Sequence, residues 1–118
     1  MSEKNQDLIQ RTRKFAVEVM SLAKRLEAQQ LVRPYLIQVI RSSSSIGANY
    51  LEADEAESKR DFRHKIAIAR KEARESGHWL TLIQEAIPSA RTDCERLADE
   101  AAQLTRILSA IIRKLGPL

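Results

Sequence analysis

The sequence predicts an all-α chain that packs as an antiparallel up-down-up-down four-helix bundle. Apolar residues recur at threes, fours and sevens along four segments, and no segment shows the period-two alternation of a half-buried strand. The segments, roughly 22 to 30 residues each, are joined by three short connections, which favour packing of each helix against the next in the opposite direction.

The first helix spans about residues 5–29, with Leu8, Phe15, Val19, Leu22 and Leu26 on its apolar face and charge on the other. The second runs over 33–55. Pro34 suits its first turn, where the missing N–H costs nothing, and Leu36, Val39, Ile40, Ser43, Gly47 and Tyr50 continue one face. Ser58 followed by Asp61 resembles a capping box and opens the third helix at 58–86, whose inward face is Phe62, Ile66, Ala69, Ala73, Leu80 and Ile83. Pro88 stops it. Thr92 with Glu95 repeats the cap pattern ahead of a fourth helix at 92–115, carrying Leu97, Ala101, Leu104, Leu108, Ile111 and Leu115, and Gly116-Pro117 ends the fold.

Length and composition place the chain among small globular proteins. At 118 residues it reads as one domain, 1–118, able to bury about two-thirds of its unfolded surface without staples. Cys94 is the only cysteine, which excludes an internal disulfide and any multi-cysteine zinc site and fits a reducing compartment. The polar N-terminus, Met-Ser-Glu-Lys-Asn-Gln-Asp, lacks the order of a signal peptide. No apolar stretch approaches the roughly 18 residues of a membrane span. The expectation is a cytoplasmic protein with no membrane partner.

The most specific local pattern is Ser42-Ser-Ser-Ser-Ile-Gly-Ala-Asn49-Tyr-Leu-Glu52-Ala. Ser43, Gly47 and Tyr50 form a small-residue face that lets helix backbones approach, beside a polar stripe of Ser42, Ser45, Asn49 and Glu52. In an antiparallel hairpin centred near residues 56 and 57, facing positions sum to about 113. That register sets Arg41 against Glu72 or Glu75, Asn49 opposite His64, and Tyr35 opposite His78 and Trp79, within a turn. An Arg41 ion pair there would fix helix register more than it adds stability. Arg41, Ser45, Asn49, Glu52, Glu72 and Glu75 therefore read as a structural polar motif, bonded across helices or to backbone.

Charge is mildly basic: 20 Lys and Arg against 16 Asp and Glu, for a net charge of +4. Residues 57–86 interleave both signs, as a solvated helix does. Within them Lys59, Arg63, Arg70 and Arg74 are spaced by four, seven and four, near one face of helix three, and form the candidate nucleic-acid-binding set.

The stretch from Arg41 to Ala53, then Asp61-Phe62-Arg-His-Lys65, Lys71-Glu72-Ala-Arg-Glu75, Trp79-Leu80 and the closing Arg106-Ile-Leu-Ser-Ala-Ile-Ile-Arg-Lys-Leu115, resembles the four-helix-bundle proteins of the 23S rRNA intervening-sequence type. The resemblance covers nearly the whole chain, and its Ser-Ile-x-Ala-Asn-x-x-Glu core is its most specific part. It implies a bacterial bundle that assembles into a ring-like homopentamer. Some members are encoded within insertions of ribosomal RNA genes, and structural relatives serve as accessory nucleic-acid-binding subunits beside reverse transcriptases. The implied partners are a second copy of the chain, RNA or DNA, and a reverse transcriptase or other protein. Around a ring, four modest charges per chain would multiply into a positive surface. Ala48, Leu51, Ile68 and Ile112, in excess of a single apolar stripe, fit self-association.

Catalysis is not expected. Asp61-x-x-His64 and Glu75-x-x-His78 imitate the carboxylate-x-x-histidine element of di-metal bundles, yet both lie on one helix about 21 Å apart, whereas one centre needs them on different helices at the same height. No metal and no cofactor are expected, since Gly47, Gly77 and Gly116 form neither a phosphate loop nor a dinucleotide fingerprint. Cys94 lies near a helix start, where a thiolate is favoured, but no paired base accompanies it, so it reads as a small, partly buried side chain. The alternative to nucleic-acid binding is an oligomeric scaffold or protein-interaction module without it.

Overall fold

Four α-helices account for the computed structural model, which describes residues 3–118; Met1 and Ser2, part of the polar N-terminus, lie outside the described residues. They are α1 (Glu3–Arg25), α2 (Arg33–Asp54), α3 (Lys59–Ala86) and α4 (Arg91–Leu115), and no strand occurs among the described residues. Cross-helix contacts define the packing. Thr12 of α1 touches Gly47 of α2, while Asn5 meets Tyr50 and Asp54. Arg41 and Glu52 of α2 meet Glu72 and Lys65 of α3. Gly77 and Gln84 of α3 meet Ala101 and Glu95 of α4, and Arg11, Glu18 and Arg25 of α1 meet Glu100, Arg96 and Asp93 of α4. Within each set, numbers rise on one helix as they fall on the other. The particle measures 45 × 23 × 20 Å, its long axis matching the roughly 42 Å of a 28-residue helix.

The core is the set of apolar faces that periodicity identifies. Phe15, Val19, Leu22, Val39, Ile46, Ile66, Leu80, Ile83, Leu97, Leu104 and Leu108 are all buried. Ile46, central in α2, shifts that helix's buried centre away from Gly47, which turns instead toward α1. A Cβ at Gly47 would stand 3.0 Å from Thr12 Oγ1, so the small-residue face does bring two helices close. Between α2 and α3 the hydroxyls of Ser42 and Ser76 meet at 2.8 Å with neither residue exposed, a polar contact satisfied within the core.

Helix ends follow local chemistry, with two corrections. Pro34 sits in the first turn of α2, and Ser58 caps α3 by accepting from the Asp61 N–H at 3.0 Å. Gly116, at φ 68°, closes α4 in a conformation that L side chains avoid. However, α1 ends at Arg25 rather than near 29. The Leu26 N–H is shared between the Leu22 and Ala23 carbonyls, and the chain reverses through a short 3-10 turn, Gln30–Val32, anchored by buried Leu26 and Val32. Thr92 does not cap α4 either. A 3-10 turn at Pro88–Ala90 feeds directly into Arg91, leaving Thr92 inside the helix and exposed.

Candidate nucleic-acid interface

The polar motif of α2 divides into a seam that crosses helices and a row that does not. Arg41 donates to Glu72 Oε2 at 3.1 Å and to Glu75 Oε2 at 2.9 Å, bridging two carboxylates one turn apart on α3. The hydrogen bond to Glu75, joined by the charges of both acids, raises the Arg41 pKa above its ordinary value. Glu72 is buried, so Arg41 supplies the charge that keeps its carboxylate solvated by protein. One turn from this seam Tyr35 stacks on Trp79 with ring centroids 5.9 Å apart, as the register predicts. By contrast, Ser45 donates to the Arg41 carbonyl and Asn49 to the Ser45 carbonyl, both within α2. Asn49 therefore turns to its own backbone, and His64, its expected opposite, is exposed. Glu52 pairs with Lys65 at 3.3 Å on the surface.

The four basic residues of α3 do not share one environment. Lys59 Nζ donates to the Pro117 carbonyl at 3.4 Å, and the Arg63 guanidinium donates to the Gly116 carbonyl. Both hold the segment that follows α4, where cations also suit the negative end of the helix dipole. Arg70 and Arg74 make no ion pair among the described residues. Arg74 stands on a trough of about 310 Å³ between α3 and α4, opposite Arg106. Arg106 was not identified by spacing along α3, because it belongs to another helix; four-residue steps from Ala98 to Ala102 to Arg106 are its only sequence signal.

The remaining arginines show what pairing looks like here. Arg11 holds Glu100 through two bonds of 2.7 and 2.8 Å and reaches Gln103 at 2.8 Å, while Arg25 and Arg96 bind Asp93 and Glu18 at 2.6 and 2.7 Å. These α1–α4 clamps were not foreseen from sequence. The hydrogen bond to Glu100 raises the Arg11 pKa, and the one to Glu18 does the same for Arg96.

The α1–α2 face has a different chemistry. Val17, Met20, Ile37 and Leu51 are exposed at 51, 46, 66 and 42%. Met20, Ile37 and Ile40 line a groove of about 300 Å³ that is continued by a second, about 240 Å³, along Ala16, Ala48 and Leu51. Ile68 and Ile112 are half-buried instead, with Ile112 packed against the core.

His64 and His78 are exposed, and among the described residues no three His, Cys, Asp or Glu side chains are grouped to hold a metal ion. Cys94 is fully buried, more so than its sequence position suggests. Burial, reinforced by Asp93, pushes its thiol up to about 11, against the thiolate that a helix start favours. No described helix is long and apolar enough to cross a membrane.

These features define a helical-bundle protein whose α1–α4 side is clamped by arginine–carboxylate pairs and whose α3–α4 trough holds two arginines without such a pair among the described residues. Residues 4–110 match the 23S rRNA-intervening sequence protein family, and the chain belongs to that family. The chain is also similar to a Bacteroides thetaiotaomicron protein of unknown function from the S23 ribosomal protein family. The two are 35% identical, with a TM-score of 0.81 over 88% of this chain and 96% of that one. No protein of curated function matches the chain.

Proposed function

We propose that this chain is a non-catalytic, nucleic-acid-associated accessory protein of the bacterial cytoplasm that binds RNA through a basic surface repeated around a homopentameric ring. The rising and falling contact pairs support an up-down-up-down bundle as its subunit. The observation that carries the binding reading is the contrast among arginines: Arg11, Arg25, Arg41 and Arg96 are held by carboxylates, whereas Arg70 and Arg74 have none among the described residues. Unpaired guanidiniums on one helix face are available to phosphate oxygens, and the family's connection with ribosomal RNA makes RNA the first nucleic acid to test.

Fluorescence anisotropy on a structured RNA across a salt series tests this. Arg70→Gln/Arg74→Gln leaves the C-terminal contacts intact, lowers affinity at least about tenfold at 0.1 M salt and reduces the log–log salt slope by roughly 2. Lys59→Gln/Arg63→Gln also loosens the end of α4, so helicity is measured beside it. Absence of RNA binding by the wild-type oligomer at low salt overturns the reading. The alternative, an oligomeric scaffold without nucleic-acid binding, is favoured by the exposed apolar α1–α2 face. The chain exposes 7151 Å², against about 6,500 Å² expected for a folded monomer of its mass. The proposed occupant of that face is a second copy of the chain, whose matching apolar residues would leave water with it.

A further inference from the structure

We propose that the trough between α3 and α4 is the track for one phosphodiester strand, gripped from opposite banks by Arg74 and Arg106. The proposal rests on the RNA-binding reading above and adds to it a contact residue from a second helix.

The trough floor is Ala73, Gly77, Ala101 and Ala102, with Arg74 and Arg106 on either side. No carboxylate lines it. The groove between α1 and α4 offers a direct contrast, since its Arg11, Lys14 and Arg96 are accompanied by Glu18, Asp99 and Glu100. There Arg11 and Arg96 are spent on carboxylates of their own chain. In the α3–α4 trough neither arginine makes an ion pair among the described residues, so each guanidinium keeps its donor fork for an incoming anion.

The floor explains why a strand can enter. A Cβ at Gly77 would meet Ala101 Cβ at 3.8 Å, an ordinary contact, so helix packing does not require glycine there. What the missing side chain adds is depth. The Thr105 hydroxyl, also in the trough, is bonded to the Ala101 carbonyl at 2.8 Å and does not compete for the ligand. Charge continues beyond the trough along both helices. Arg70 precedes Arg74 by one turn, about 6 Å, and Arg113 follows Arg106 by two turns, about 10 Å. Two banks of cations flanking a floor of methyl groups suit a polyanion that runs along the groove better than a compact anion at one point.

A helix from a second copy is the competing occupant. Covering the trough with a helix would strip water from two guanidiniums that have no carboxylate to replace it, a costly burial. The α1–α2 grooves hold cations too, Arg13, Lys24 and Arg33, but Glu27 lines the same groove as the last two, and exposed Met20, Ile37 and Leu51 gain from being covered. The charge of the trough therefore favours phosphate.

The test uses the full chain and a labelled RNA hairpin, with homopolymeric RNA as a second probe, in anisotropy titrations across salt. Arg106→Gln is expected to lower affinity about eightfold at 0.1 M monovalent salt and to reduce the log–log slope by about 1. Ala102→Leu fills the trough without changing charge, and is expected to weaken both probes at least about threefold while leaving helicity intact. Lys14→Gln, an equal charge loss on α1, stays within about twofold of wild type. If Arg106→Gln and Ala102→Leu bind like wild type while Arg70→Gln/Arg74→Gln is impaired, the trough proposal falls and the RNA reading stands. If Arg106→Gln instead changes the sedimentation coefficient, the trough is a contact between copies and the proposal falls. Loss of all binding by the wild type overturns both.

Discussion

The outer face of α1–α2 and the outer face of α3–α4 come from the same helical periodicity but solve opposite solvation problems. On α1–α2, large apolar side chains stand in water: Ile37 is 66% exposed and Met20 46%. On α3–α4, Arg74 and Arg106 flank alanine and glycine, and no acid neutralises them within the trough. Removing water stabilises the first surface, at about 25 cal/mol per Å² of apolar area, and destabilises the second unless an anion replaces the water. On the proposed function the first face suits protein and the second phosphate, a difference set by residues outside the core.

The sharpest way to break this comparison is to put charge on the apolar face. Met20→Glu/Ile37→Glu is expected to convert the proposed oligomer to monomer in sedimentation velocity. RNA affinity should then fall by at least about tenfold through lost multivalency, with α3–α4 untouched. An oligomer that survives both substitutions would place the copy-to-copy contact elsewhere.

A smaller effect is expected inside the α1–α2 pair. Gly47→Leu overpacks against Thr12, whose hydroxyl already bonds to the Ile9 carbonyl, and should cost about 1–3 kcal/mol in urea denaturation despite better helix propensity. Gly47→Ala is the control, since its Cβ needs Thr12 to yield by only a few tenths of an ångström. If both variants stabilise the protein, close approach of these helices contributes nothing.

An effect confined to alkaline pH, and absent near neutrality, sharpens the α4 side through Cys94. Its thiol titrates near 11 in the folded chain, raised from an ordinary 9.0 by burial. A raised folded pKa means the neutral thiol's contribution is fully present below pH 9 and is lost as pH climbs toward 11. Wild type should therefore lose about 2 kcal/mol more than Cys94→Ala between those limits, a difference that cancels other alkaline titrations common to both. Parallel pH profiles for the two proteins would mean that Cys94 reaches solvent.

The register of α2 on α3 was legible from sequence because the connection between them is short. Arg41 meets both Glu72 and Glu75, and Tyr35 stacks on Trp79, where the summed numbering places them. The α1–α4 clamps were not legible. Arg11 and Glu100 are 89 residues apart, and no short connection sets their relative height. The basic set of α3 was only half legible, since spacing puts Lys59, Arg63, Arg70 and Arg74 near one face but says nothing about the carbonyls that engage the first two.

By itself the sequence determined the helices, their apolar faces and several of their ends, because those depend on backbone preferences and on side chains within a turn. Pro34, Ser58 and Gly116 act locally and do so here. Tertiary structure alone decided which charged groups are occupied. Whether an arginine reaches a carboxylate, a carbonyl or open solvent depends on helix rotation and height to within a few ångströms, and hydrogen-bond strength falls steeply over that range. Arg11 and Arg106 are the same residue type on outward helix faces, yet one closes the bundle and the other borders an open trough.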